Sequence, residues 1–103
     1  MKLLIVIVKP FRARAVLAAL DALELRAGSV REAMGFNRQK ERLHRYLGSE
    51  YDGSFLPKIE IQVVVPDHVV PEALAAVSSS ARTGRMGDGK VLVLPCLDDF
   101  ISW

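Results

Sequence analysis

The chain is poor in metal-ligating side chains: it has one cysteine, Cys96, and two histidines, His44 and His68. A single thiol cannot close an internal disulfide, and the three residues show no recognised zinc-ligand spacing. A lone cysteine fits a reducing compartment, so a cytoplasmic location is expected. Charge of one sign is scarce as well, because 14 Lys+Arg against 12 Asp+Glu leave a formal net charge of +2. So weak a field gives no reason to expect nucleic acid or a membrane surface as partner, and any anion site must be local. The N-terminal run Leu3-Leu4-Ile5-Val6-Ile7-Val8 is too short to span a bilayer, and no small-residue cleavage site follows it, so no membrane insertion is expected.

What is present is an apolar half of the composition in 103 residues, enough for one small core and a single domain over 1–103. Lys2 to Val8 reads as a strand buried on both faces. Pro10 breaks it and opens an amphipathic helix to about Leu25, with Ala13, Val16, Leu17, Leu20 and Leu23 at helical spacing. Ser29–Phe36 reads as a second strand and Lys58–Val65 as a third, with Ile59, Ile61, Val63 and Val65 in alternation. Asp67 is placed to cap a second helix with the stripe Val70, Leu74, Val77 and Ala81, which the serines 78–80 would end. Val91–Leu94 is the fourth strand, stopped by Pro95.

The order βαββαβ predicts an α+β, ferredoxin-like sandwich: a four-stranded antiparallel sheet with two helices on one face. Because the first and last strands are apolar on both sides, the uncovered face is expected to meet another copy of the chain.

Two stretches stand out. Residues 37–57, NRQKERLHRYLGSEYDGSFLP, form a connection far longer than the usual roughly 4–6 residues, and such loops tend to carry function. Its mixed charges, with Tyr46 and Tyr51 among them, suit docking to a partner. The second stretch, ARTGRMGDGKV at 81–91, contains Gly84-x-x-x-x-Gly89-Lys90, most of a P-loop pattern. Val91 stands where a hydroxyl should hold magnesium, however, and the segment leads from helix to strand, so no helix N-terminus points at the phosphates. By itself it fits a flexible turn flanked by cations as well as a phosphate cradle.

IVKPF at 7–11, GFNRQK at 35–40, YLGSEY at 46–51, FLPKIEIQVVVPD at 55–67 and ARTGRMGDGK at 81–90 together resemble the P-II nitrogen-regulatory signalling proteins, in order and spacing, over nearly the whole chain. The resemblance implies a homotrimer with the sheets inward, and ATP or ADP, with AMP as a further candidate, bound in clefts between subunits. It makes 37–57 the T-loop, which docks onto a membrane transporter or regulatory enzyme, and 82–90 the B-loop, which cradles phosphate.

The nucleotide-binding set it implies is Ile7, Ser29, Gly35, Asn37, Arg38, Val64, Arg82, Gly87, Asp88, Gly89 and Lys90. Ile7, Ser29 and Val64 would surround adenine and ribose, and Gly87 to Lys90 with Arg38 would hold the phosphates. Gln39 would complete the shell of a magnesium ion brought by the nucleotide, and Lys58 would meet a carboxylate of 2-oxoglutarate. Tyr51 matches the family's uridylylated tyrosine.

The chain also departs from that pattern. Ile101 and Trp103 occupy positions where members usually carry phosphate-clamping arginines, as in a variant with a shortened C-terminus, and Asp98 and Asp99 stand nearby. Nucleotide binding is therefore expected to be weakened, or tilted towards ADP or AMP. No catalysis is expected. The strand order is shared with RNA-binding modules, but the first and third strands carry no aromatics on which bases could stack. The remaining alternative is a ferredoxin-like oligomer that binds a metal or another small ligand without nucleotide signalling.

Overall fold

The computed structural model describes residues 1–35, 56–85 and 88–97. Strand β1 is Lys2–Val8, helix α1 Pro10–Asp21, strand β2 Ala27–Gly35 and strand β3 Leu56–Val65. A 3-10 turn, Asp67–Val69, leads into helix α2, Val70–Ala81, and strand β4 is Gly89–Pro95. The strands lie in the order β2-β3-β1-β4, every neighbouring pair antiparallel. This is the ferredoxin-like arrangement expected from the sequence.

The continuous apolar run of β1 divides by the two-residue period of a strand. Leu4, Val6 and Val8 are buried, whereas Leu3, Ile5 and Ile7 point to the other side and are half-buried. With Ile61, Val63 and Val65 of β3, the buried set packs against Ala13, Val16 and Leu20 of α1 and Ala73, Val77 and Ala81 of α2. The two helices serve the central strands best. Val30 of β2, opposite Ile61, and Val93 of β4, opposite Leu4, are 52% and 44% exposed although they share the helix-side face.

The open face is laid out in cross-strand rows. Leu94, Leu3, Val64 and Ala27 form one row, Leu92, Ile5, Gln62 and Ser29 the next, and Lys90, Ile7, Glu60 and Arg31 the third. Its β4–β1 half is therefore apolar except for Lys90, and its β3–β2 half is polar beyond the first row of Val64 and Ala27.

Several boundaries differ from the sequence reading. Helix α1 stops at Asp21 rather than near Leu25, because the chain must turn to join β2: Leu23 N–H donates to Leu20 O and Arg26 N–H to Val64 O, and Leu23 and Leu25 pack at the core margin from outside the helix. Asp67 does not cap α2; its carboxylate pairs with the Met1 ammonium at 3.0 Å. The serines do not end α2, since Ser79 and Ser80 satisfy their hydroxyls on the carbonyls of Ala75 and Ala76 within the helix. Leu56 and Pro57, counted in the long connection, belong to β3 and pair with Gly35 and Met34. The rest of that connection, with Phe36, lies outside the described residues.

Gly89 starts β4 with φ at +154°, where an added Cβ would run into the carbonyl oxygen of Ile7. That oxygen is backbone within the β1–β4 pairing and has little room to yield. Gly89→Ala is expected to lower stability by about 2–3 kcal/mol, read by urea unfolding. Gly28→Ala, whose Cβ would meet only ordinary contacts at 3.4 Å, should stay within about 1 kcal/mol of wild type.

Candidate functional site

Four strand ends meet at one edge of the sheet. Val8 pairs with Ile59 on one side and Gly89 on the other, so Lys9, Lys58 and Asp88 lie one step past that row, and Lys90 lies one step inside it, beside Ile7. Ala33 of β2 pairs with Lys58, and the last pair, Gly35 with Leu56, is where the long connection leaves and returns. Three lysines and one carboxylate thus share the end of the fold from which the largest loop departs.

The lysines feel one another. Burial pushes the Lys58 ammonium below the ordinary lysine range, Lys9 and Lys90 push it further, and Asp88 partly restores it. A cation resisted by burial and by two like charges gains from an anion brought beside it.

Asp88 is fully engaged. One carboxylate oxygen accepts from the Thr83 amide at 2.6 Å and the Gly84 amide at 3.0 Å. The other accepts from the Thr83 hydroxyl and from Lys9 Nζ, the latter at 3.2 Å. The Thr83 hydroxyl first, then its amide, and Lys9 after them hold this carboxyl well below the usual carboxylate range. Gly84 turns the chain there with φ at +84°, a conformation that favours glycine. Arg12 ties α1 to the same loop through Nη2 to the Arg82 carbonyl at 3.0 Å.

A second polar group lies on the open face next to Ile7. Arg31 Nε donates to Glu60 Oε2 at 2.5 Å, and Gln62 Nε2 donates to the same oxygen at 3.2 Å. These bonds, Arg31 first, hold the Glu60 carboxyl below its ordinary value. The charge of Glu60 is thereby matched within the sheet.

Of the residues singled out from the sequence, the structure gathers Gly35, Lys58, Asp88, Gly89 and Lys90 at this end, with Ile7 adjoining. Arg82 begins the loop, exposed. Ser29 and Val64 share the open face with Ile7 but lie one and two rows away, at about 7 Å per row. Within one chain they do not close a pocket with the lysines. Asn37, Arg38, Gln39, Tyr51 and Gly87 lie outside the described residues, as do Ile101 and Trp103.

Two participants escape the sequence reading, Lys9 and Thr83. The only cue to Thr83 is a hydroxyl residue five positions before an aspartate in a glycine-rich turn, and Lys9 is masked by its place beside Pro10. An apolar groove between α1 and β2, lined by Leu17, Leu25 and Val30, lies on the helix side, away from the lysines. Among the described residues no three His, Cys, Asp or Glu side chains are grouped to hold a metal, and no helix is long and apolar enough to cross a membrane.

The family model described as Nitrogen regulatory protein P-II matches residues 1–100. Nitrogen regulatory protein P-II of Azospirillum brasilense is 44% identical over 95 residues, 92% of this chain and 85% of that protein. The P-II protein of Rhodospirillum rubrum is 44% identical, and nitrogen regulatory protein GlnK of Escherichia coli K12 43% identical, each over 90% of this chain and 83% of its own length. With this match, these identities and the ferredoxin-like sheet, the chain belongs to the P-II family of nitrogen regulatory proteins.

Proposed function

We propose that this chain is a cytoplasmic signalling protein that assembles as a homotrimer, binds an adenine nucleotide between subunits and reports it to a partner through the T-loop. The observation that carries this reading is the convergence of Lys9, Lys58 and Lys90 around an internally neutralised loop, at the sheet end from which residues 36–55 depart. An anion held there lies at the base of that connection, so its presence can bias the loop's arrangement.

The open face supports the assembly. Leu3, Ile5, Ile7, Leu92 and Leu94 form an apolar area that no described residue covers, Leu92 being 48% exposed. A second copy removes it from water. The separation of Ser29 and Val64 from the lysines within one chain suits a cleft whose base pocket and phosphate cradle come from different subunits.

In such a cleft Lys58 and Lys90 would meet the phosphates with the amides of Gly87–Lys90, and Lys58 could equally receive a carboxylate of 2-oxoglutarate. Magnesium would come with the nucleotide, its shell completed by Gln39. In this reading these groups bind and orient the ligand. With Ile101 and Trp103 uncharged, ADP or AMP, carrying less charge than ATP, loses less from the missing arginines. The partner is a transporter or regulatory enzyme, and Tyr51 is the site at which the loop would be uridylylated.

Calorimetry with ATP, ADP and AMP tests the ligand: at least one should bind with saturable heat below millimolar concentration, and no heat from any of them removes the nucleotide reading. Light scattering should return a trimer, and Leu92→Asp should shift it to monomer while leaving the subunit's circular dichroism intact; a monomeric wild type removes the cleft.

The lowered Lys58 pKa sets a pH dependence. The protonated form binds the anion, so ADP affinity should fall as pH rises, beginning below the value near 10.4 usual for lysine. Lys58→Arg, charged throughout, should lessen that fall in titrations from pH 7 to 10.

A further inference from the structure

A carboxylate in a loop meant for phosphate poses an electrostatic problem, since facing the ligand it would repel it. The hydrogen bonds around Asp88 resolve this. Both of its oxygens are occupied from within the chain: two successive amides, Thr83 and Gly84, converge on one, and the Thr83 hydroxyl and Lys9 Nζ take the other. Adjacent backbone N–H groups aimed at one point form an anion nest, and this one is filled by the chain's own side chain.

We infer that Asp88 is the positioning residue of the phosphate loop, a brace that binds Thr83 and Gly84 at the loop's start and Lys9 just before α1, and is not itself a phosphate contact through its side chain. The inference rests on the proposed nucleotide site and revises how it is built.

Three consequences follow from the geometry. The amides of Thr83 and Gly84 are consumed by Asp88 and do not take part in holding ligand, which leaves the cradle to residues after Gly84. The brace fixes Asp88 directly before Gly89, where the chain comes too close to the Ile7 carbonyl for a Cβ, and so steadies the start of β4 on which Lys90 stands. Lys9, only 23% exposed and paired with Asp88, acts as the counter-charge that keeps the carboxylate from opposing a bound anion.

Asp88→Asn separates this from the opposite reading, in which the carboxylate faces the ligand. Removing a facing negative charge would tighten ADP binding; removing the brace should weaken it about tenfold or more. Thr83→Val should weaken binding similarly, and Thr83→Ser, which keeps the hydroxyl, should restore it. Independently of any ligand, amide hydrogen exchange by NMR should show the Thr83 and Gly84 N–H groups protected in the wild type and at least tenfold faster in Asp88→Asn.

Equal or tighter ADP binding by Asp88→Asn overturns the inference, as does exchange at Thr83 and Gly84 that is fast in the wild type. Should the wild type take up no nucleotide, the site reading fails and the exchange result alone decides the brace: protection lost in the variant sustains it, and absence of protection overturns it. Should Asp88→Asn fail to fold, the Thr83→Val and Thr83→Ser pair decides by the same two measurements, with equal behaviour of the two variants overturning it.

Discussion

The two-sided pairing of β1 is the constraint on which the other features depend. Its residues meet β3 and β4 in matching register, with Val8 opposite both Ile59 and Gly89. Since side chains alternate across a strand, a slip of one residue in either pairing would move Leu4, Val6 and Val8 out of the core and Lys9 away from Lys58 and Asp88. The apolar period secures the register, and the register brings the charges together. Gly89 adds a local check, because only a residue without a Cβ lets β4 approach Ile7 closely enough to begin pairing at that row.

Charge is then balanced separately in two places. At the sheet end, an aspartate is neutralised by amides, a hydroxyl and Lys9, while Lys58 is held against its preference by burial and by neighbouring lysines. On the open face, Glu60 is matched by Arg31 and steadied by Gln62. Each of these two carboxylates is met by groups of the chain itself. In a chain with a net charge of only +2, charge is thus arranged locally rather than as one broad field.

The open face links this site to assembly. Its apolar half, centred on Ile5 and Leu92, supplies the reason to associate, and its polar half, with Glu60, Gln62 and Ser29, is carried by the two strands that run to the long connection. In the proposed assembly, the surface that associates and the strands that lead to the long connection are therefore the same sheet face.

Sequence periodicity alone determined the order of elements and the buried alternation of β3, because two-residue and helical periods are local consequences of backbone geometry, whereas β1, expected to be buried on both faces, buries only Leu4, Val6 and Val8. Motif spacing identified the family and the glycine-rich loop. What the tertiary structure decided were relations between residues far apart in the chain. Asp88 was read as one more member of a phosphate set, yet its partners are Thr83, Gly84 and Lys9, the last of them 79 positions away. Asp67 looked like a helix cap until it met the Met1 ammonium, and α1 ended early because Arg26 had to reach Val64. Such pairings depend on which strand ends lie side by side, which no local period encodes. Folding brings those ends together, and the roles of Lys9, Thr83 and Asp88 are settled only then.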